Sequence, residues 1–259
     1  MTIFDNKISS DRETFRTSYQ SKKPFKYLII ENALKDSVAQ EIHDEYPKIT
    51  DGEWDGTTYL DQKNKFQKTV FEKNSLMQNV FDELNSEPFL AWLNFITGIE
   101  EPLIADPALS GGGLHQSMNG AFLNVHVDFN IHPKTKLHRR LNVLIYMNKD
   151  WKDEYEGHLE LWEIGDEYKN LLEKIPPIFN RLVLFETNEI SFHGHPKPLN
   201  IPVDVSRKSL ATYYYTKTRP ASEIAGEHNT IYVNTEGVKG SVKRFKSGVR
   251  AALERVNKR

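Results

Sequence analysis

After Gly111-Gly112-Gly113 the chain turns into a succession of short, apolar-rich segments separated by turn residues, and this texture restricts its fold more than any other feature. Strand candidates fall at 121–129, 140–147, 158–164, 181–186, 190–195 and 207–216. Successive side chains of a strand point to opposite faces, so each segment can bury one face and use the other. Short strands at regular spacing predict a barrel or sandwich.

The first hundred residues read differently. Val38, Ala39, Ile42 and Tyr46 recur at helical spacing up to a stop at Pro47, and Leu76, Val80, Leu84, Phe89, Leu93 and Ile96 do so over about 75–97, with Pro88 as a break. Pro24 to Ile30 reads as a strand, residues 1–23 as a helix or a loosely held arm, and 48–70 as irregular, with Trp54 and Tyr59 as anchors. The fold class expected is mainly β with N-terminal helices, a β core braced by α-helices. Residues 1–110 would be a helical support region of the same domain, 111–220 the core, and 221–259 a basic tail. Within that tail 239–259 carries Glu254 as its single acid and suits an amphipathic helix, solvated or bound to an anionic partner.

A chain of 259 residues can bury a sizeable core in one domain. A net charge of -2 favours neither nucleic acid nor membrane as a partner, and no apolar run is long enough for a span. The opening MTIFDNKISSDRE has no apolar signal core. With no cysteine, disulfides and thiolate metal sites are excluded, and a reduced, cytoplasmic setting is the expectation.

His126-Val127-Asp128 lies in an alternating segment, so the imidazole and carboxylate share a face, and His193 follows 65 residues after Asp128. Two histidines and one carboxylate can occupy one face of an octahedral ion and leave the other open, as in non-haem iron oxygenases; zinc accepts the same donors in a tetrahedron. Ser191-Phe192-His193-Gly194-His195 offers two candidates for the third ligand. His193 is favoured because glycine follows it and Pro196 then ends regular pairing, which leaves His195 for the substrate pocket or a supporting role. Metal binding needs neutral histidines, so function should fall at mildly acidic pH.

A second cluster opens the last strand. Alternation puts Arg207, Ser209, Ala211 and Tyr213 on one face, and a guanidinium with a nearby hydroxyl suits the far carboxylate of a dicarboxylate. In 140–146, Asn142 and Tyr146 share a face while Val143 and Ile145 take the other, which supplies a further donor.

These residues together resemble the prolyl 4-hydroxylase-type branch of the Fe(II)- and 2-oxoglutarate-dependent dioxygenases. The similarity spans about residues 24–216. It rests on Pro24-Phe25, His126-Val127-Asp128, Arg139-Arg140 leading to Tyr146-Met147-Asn148-Lys149-Asp150-Trp151, Gly157-His158-Leu159-Glu160-Leu161, Phe192-His193-Gly194 and Arg207-Lys208-Ser209. The resemblance implies a double-stranded β-helix, or jelly roll, with helices packed on one sheet. It implies Fe(II) on His126, Asp128 and His193, and 2-oxoglutarate on Arg207 with Ser209, Tyr146 and Asn142. O2 would be the oxidant and ascorbate an accessory reductant, with succinate and CO2 released as a C–H bond is hydroxylated. An intact Asp128 favours hydroxylation over halogenation, since halogenating relatives commonly have a small residue there. Arginine at 207, where collagen-type members use lysine, is similar to the oxygen-sensing and ribosome-modifying members. Two departures are the long segment from His195 to Ser206 with its three prolines, and Gly157-His158 in place of paired glycines.

The substrate is not legible at this level. A protein or peptide side chain, proline foremost, and a small molecule both remain open, and a metal-binding jelly roll without oxidative activity is the non-enzymatic alternative. Asn119, Asn124, His195, Trp162 and Tyr213 are candidate substrate contacts, and 48–70 and 195–206 are either a lid or ordinary surface loops.

Overall fold

The computed structural model describes residues 1–59 and 61–233; the helix expected over 239–259 lies outside them. In chain order the elements are α1 (Lys7–Ser10), α2 (Arg12–Ser21), β1 (Tyr27–Ile30), α3 (Asp36–Asp44), β2 (Asp55–Tyr59), β3 (Gln62–Lys68), α4 (Leu76–Leu84) and α5 (Glu87–Thr97). There follow β4 (Ile104–Ala105), β5 (Gly113–Val127), β6 (His138–Tyr146), β7 (Leu159–Ile164), β8 (Lys169–Ile175), β9 (Arg181–Glu186), β10 (Phe192–His195), β11 (Arg207–Thr216) and β12 (Ile231–Tyr232).

The strands pair antiparallel in the order β1-β9-β6-β11-β5-β10-β7-β8, with β3 and β12 also on β5 and β2 on β3. The fifteen-residue β5 joins two layers. Its first half pairs with β11, Arg207 opposite Ser117, and its second half with β10, His193 opposite His126. Between the halves Gly120 adopts φ +74°, a left-handed conformation that a side chain would strain. The layers so formed face each other as a double-stranded β-helix.

Alternation explains why one layer carries the helices outside and a cavity inside. Leu141, Val143 and Ile145 of β6, Leu182 and Leu184 of β9, and Leu210 of β11 join the helical side chains Ile42, Val80, Phe81, Phe89 and Leu93 in one core. Their neighbours Asn142, Leu144, Tyr146, Phe185 and Ser209 point inward and line the cavity.

Several local expectations change. Residues 1–23 form two packed helices rather than an arm: Phe4 and Ile8 are buried, Phe4 stacks on Phe89 at 4.8 Å, and Trp92 Nε1 donates to the Ile8 carbonyl at 2.7 Å. The break expected at Pro88 falls at Asn85-Ser86, between α4 and α5, and Pro88 itself sits in the first turn of α5, where its missing N–H is not needed; Gly98 closes that helix at φ +68°. The stretch 48–70 is not irregular, because β2 and β3 form a hairpin inside it that extends the sheet beyond β5. Phe66 is the only apolar side chain of β3, Gln62–Lys68, so its strand state comes from pairing with β5 and not from a hydrophobic pattern. The segment 195–206 is pinned rather than lid-like. Leu199 N donates to Ala121 O and Gly120 N to Leu199 O, both at 2.8 Å, and Leu199 and Ile201 pack on Ala121.

Candidate active site

His126 and His193 stand opposite each other on β5 and β10, and Asp128 follows one residue past the end of β5. Donor atoms of the three lie within 4.8 Å of one another. His126 Nε2 is 3.6 Å from Asp128 Oδ1, and His193 Nε2 is 3.5 Å from Asp128 Oδ2. Each ring donates its Nδ1–H to a backbone carbonyl two residues earlier, His126 to Asn124 at 2.7 Å and His193 to Ser191 at 2.9 Å. That choice of tautomer leaves both Nε2 lone pairs facing the carboxylate, as a metal site requires. Burial, with His126 adding to it and Asp128 opposing it, lowers His193 to about 4. Burial also works to raise the Asp128 carboxyl, but Arg139, His193 and His126 outweigh it and hold it well below the usual carboxylate range. The site therefore presents a neutral His193 and an ionised Asp128 beside the Nε2 of His126, a donor set that fits a divalent ion with open positions.

His195 is not part of this group. The pairing of β10 with β5 shifts between His193 and His195, which sits opposite Leu123. Its ring lines the same cavity, but its donors fall outside the three-residue cluster. The geometry thus selects His193 over His195 as the third donor.

Asp128 is held from behind by residues that sequence spacing undervalued. Asn142 Nδ2 donates to Asp128 Oδ2 at 2.7 Å, and Arg139 approaches the same oxygen at 3.1 Å while donating to Asn142 Oδ1 at 2.8 and 3.1 Å. Arg139 is 2% exposed, its guanidinium 3.6 Å from the Tyr213 ring centroid and 4.5 Å from that of Phe129. Strict alternation would put Arg140, not Arg139, beside Asn142. An irregularity in the β6–β11 pairing, with Leu141 opposite Tyr214 but Arg139 opposite Tyr215, turns Arg139 inward. Asn142, expected to bind a co-substrate, has both polar ends spent on Asp128 and Arg139.

Across the cavity Arg207, 7% exposed, donates from Nε to Gly157 O at 2.7 Å and from a terminal nitrogen to Tyr146 Oη at 3.2 Å. It makes no ion pair among the described residues. Gly157 adopts φ +70°, and a Cβ there would lie 2.3 Å from Leu199 Cδ2 and 3.1 Å from Arg207 Cδ, so only glycine leaves the guanidinium its place. Burial raises the Tyr146 phenol, with Arg207 opposing, and keeps it protonated and able to donate onward. Ser209 lines the same wall.

The cavity between these clusters has a volume of about 270 Å³. Tyr213 borders it, its hydroxyl donating to Gly111 O at 2.9 Å. Three of the candidate substrate contacts lie elsewhere. Trp162 faces Val125, Val127 and Phe192 and donates to Glu160, because Leu159 and Leu161 take the inward face of β7. Asn124 turns to Asp61 at 3.1 Å, and the exposed Asn119 accepts from Ile201 N at 3.0 Å. In their stead the β3 residues Gln62, Lys65 and Gln67 enter the wall. No signal short of the hairpin's pairing would have found them.

The sequence profile of the 2OG-Fe(II) oxygenase superfamily matches residues 112–215, the region that carries both clusters. Mouse (Mus musculus) prolyl 3-hydroxylase OGFOD1 is 26% identical over 162 residues, 60% of this chain and 27% of that protein, so the chain spans about a quarter of its relative. Among solved structures, a Trichoplax adhaerens prolyl hydroxylase in complex with a hypoxia inducible factor peptide fragment superposes with a TM-score of 0.57 at 17% identity, covering 81% of this chain and 92% of that one. A Pseudomonas putida prolyl-4-hydroxylase gives 0.54 at 14% identity, covering 78% and 99%. The two structures share the fold. Over residues 112–215 the chain is similar to the 2OG-Fe(II) oxygenase superfamily, and its fold is that of the prolyl hydroxylase structures.

Proposed function

We propose that the protein is an Fe(II)- and 2-oxoglutarate-dependent hydroxylase whose target is a prolyl C–H bond. The observation that carries this reading is a single cavity with the His126–Asp128–His193 donors on one side and the unpaired guanidinium of Arg207 on the other. Bound Fe(II), with 2-oxoglutarate and O2, supplies the oxidative decarboxylation that yields succinate and CO2 and drives hydroxylation.

The chain's own residues do the rest. His126 and His193 offer Nε2 because backbone carbonyls hold Nδ1–H. Arg139 and Asn142 fix the Asp128 carboxylate and keep it ionised. Arg207, fastened by Gly157 O and Tyr146 Oη, keeps N–H groups for the distal carboxylate of 2-oxoglutarate, and Ser209 stands beside it. Leu144, Leu159 and Phe185 give the cavity apolar walls that restrict water. A prolyl target is supported by the mouse relative's name and by the peptide bound to the Trichoplax protein.

The test is succinate formation from 2-oxoglutarate that requires Fe(II) and O2, coupled to a one-oxygen mass gain in a prolyl substrate. Loss of succinate formation in Asp128→Ala, with iron retention lost in parallel, is the expected result. Iron-dependent turnover surviving in that variant would refute the assignment.

A further inference from the structure

Lys65 belongs to neither cluster. It stands on β3 opposite Ser117 of β5, which in turn stands opposite Arg207 of β11. Two strand spacings, roughly 10 Å, therefore separate the backbones of Lys65 and Arg207. The Arg207 guanidinium turns the other way, towards Gly157 and the β6 residue Tyr146. The half-buried Lys65 lines the cavity, and its ammonium has no hydrogen-bond or ion-pair partner among the described residues. Beside it in the wall, His195 is 5% exposed and its Nδ1 is buried without a partner.

Charge counting shows what is missing. Asp128 is the one acidic side chain among the described residues of the wall, against Lys65, Arg139 and Arg207. Fe(II) would add two positive charges and 2-oxoglutarate two negative ones, leaving the cavity with two positive charges in excess. Arg139 is already paired with Asp128, and Arg207 is committed to the co-substrate. Of the three cations only the Lys65 ammonium would touch no carboxylate, and it stands in a partly desolvated wall, an arrangement that costs free energy unless an anion arrives. Burial lowers Lys65 to about 8, with Asp128 opposing and Arg207 and Arg139 adding to the fall, which still leaves it largely protonated at neutral pH.

We propose that Lys65 binds a carboxylate carried by the substrate, so that the enzyme selects acidic substrates. The inference rests on the hydroxylase reading and names the class of molecule that this site would take. A prolyl target could bring the carboxylate as free L-proline or as an acidic side chain next to a prolyl residue in a peptide.

The test uses binding, not turnover. Nickel-loaded full-length protein saturated with 2-oxoglutarate is titrated calorimetrically with two matched pairs. One pair is L-proline and L-prolinamide; the other is the blocked peptide acetyl-Ala-Pro-Asp-Ala-amide and its Asn counterpart. In at least one pair the acid should bind tenfold or more tighter than its amide, and the pair that responds identifies the source of the carboxylate. In Lys65→Met the preference should fall below threefold while 2-oxoglutarate affinity stays within threefold of wild type, which also reports an intact fold. Lys65→Arg should keep the preference. The proposal is overturned by a wild type without an acid preference, by a preference that survives Lys65→Met, or by a tenfold loss of 2-oxoglutarate affinity in that variant. If wild type fails to bind 2-oxoglutarate at all, the hydroxylase reading fails instead.

Discussion

Replacing Arg207 by methionine keeps an apolar stem of similar length and removes the guanidinium. Two of its five N–H groups are engaged, one with Gly157 O at 2.7 Å and one with Tyr146 Oη at 3.2 Å, which leaves three without a partner among the described residues. Two parallel charge-assisted bonds to a carboxylate are worth about 1.5–3 kcal/mol each. Water refills part of the space, so truncating one partner of such a buried pair costs about 2–5 kcal/mol in practice. A central loss of about 3 kcal/mol corresponds to roughly a hundredfold weaker 2-oxoglutarate binding. The assay is anaerobic calorimetry on metal-loaded protein, with metal content measured in parallel, because Arg207 touches none of the three metal donors. Arg207→Lys should recover part of the affinity by restoring charge without the planar fork. A Kd in Arg207→Met within threefold of wild type would refute the assignment of this arginine.

Three further outcomes follow from the geometry. His193→Ala should lose iron, read by metal analysis after gel filtration, whereas His195→Ala should retain most of it; the reverse order would move the third ligand. In metal-free protein His193 should titrate near pH 4 by NMR. Its folded pKa of about 4 lies below the ordinary 6.5, so the unfolded chain binds more protons between those values and stability falls as pH drops through that window, by about 3 kcal/mol in all. Denaturant melts of the apoprotein that are flat from pH 6.5 to 4 would contradict this. Gly157→Ala should weaken 2-oxoglutarate binding and lower stability by about 1–3 kcal/mol, because its methyl group must displace Leu199 and Arg207 from a residue at positive φ. Unchanged affinity and melting temperature would show that this packing relaxes freely.

The low position of His193 also bears on the acid sensitivity expected from the two histidine donors. An exposed imidazole yields to protons at mildly acidic pH. Burial postpones that competition at His193 to about pH 4.

Local pattern by itself determined the strands at 140–147, 181–186 and 207–216, the helices α3, α4 and α5, and which side chains share a face within a strand: His126 with Asp128, Arg207 with Ser209, and Asn142 with Tyr146. In each case a period of 2 or 3.6 residues is written in the side chains, and the chemistry sits on the face that the period leaves free. The tertiary structure decided what depends on partners distant in sequence. The polar Gln62–Lys68 becomes a strand because β5 offers it hydrogen bonds, and this brings Lys65 to the cavity. A pairing irregularity between β6 and β11 turns Arg139 towards Asp128. A shift between β10 and β5 separates His193 from His195. Register and irregularities of pairing belong to two strands at once, so neither strand's sequence can state them alone.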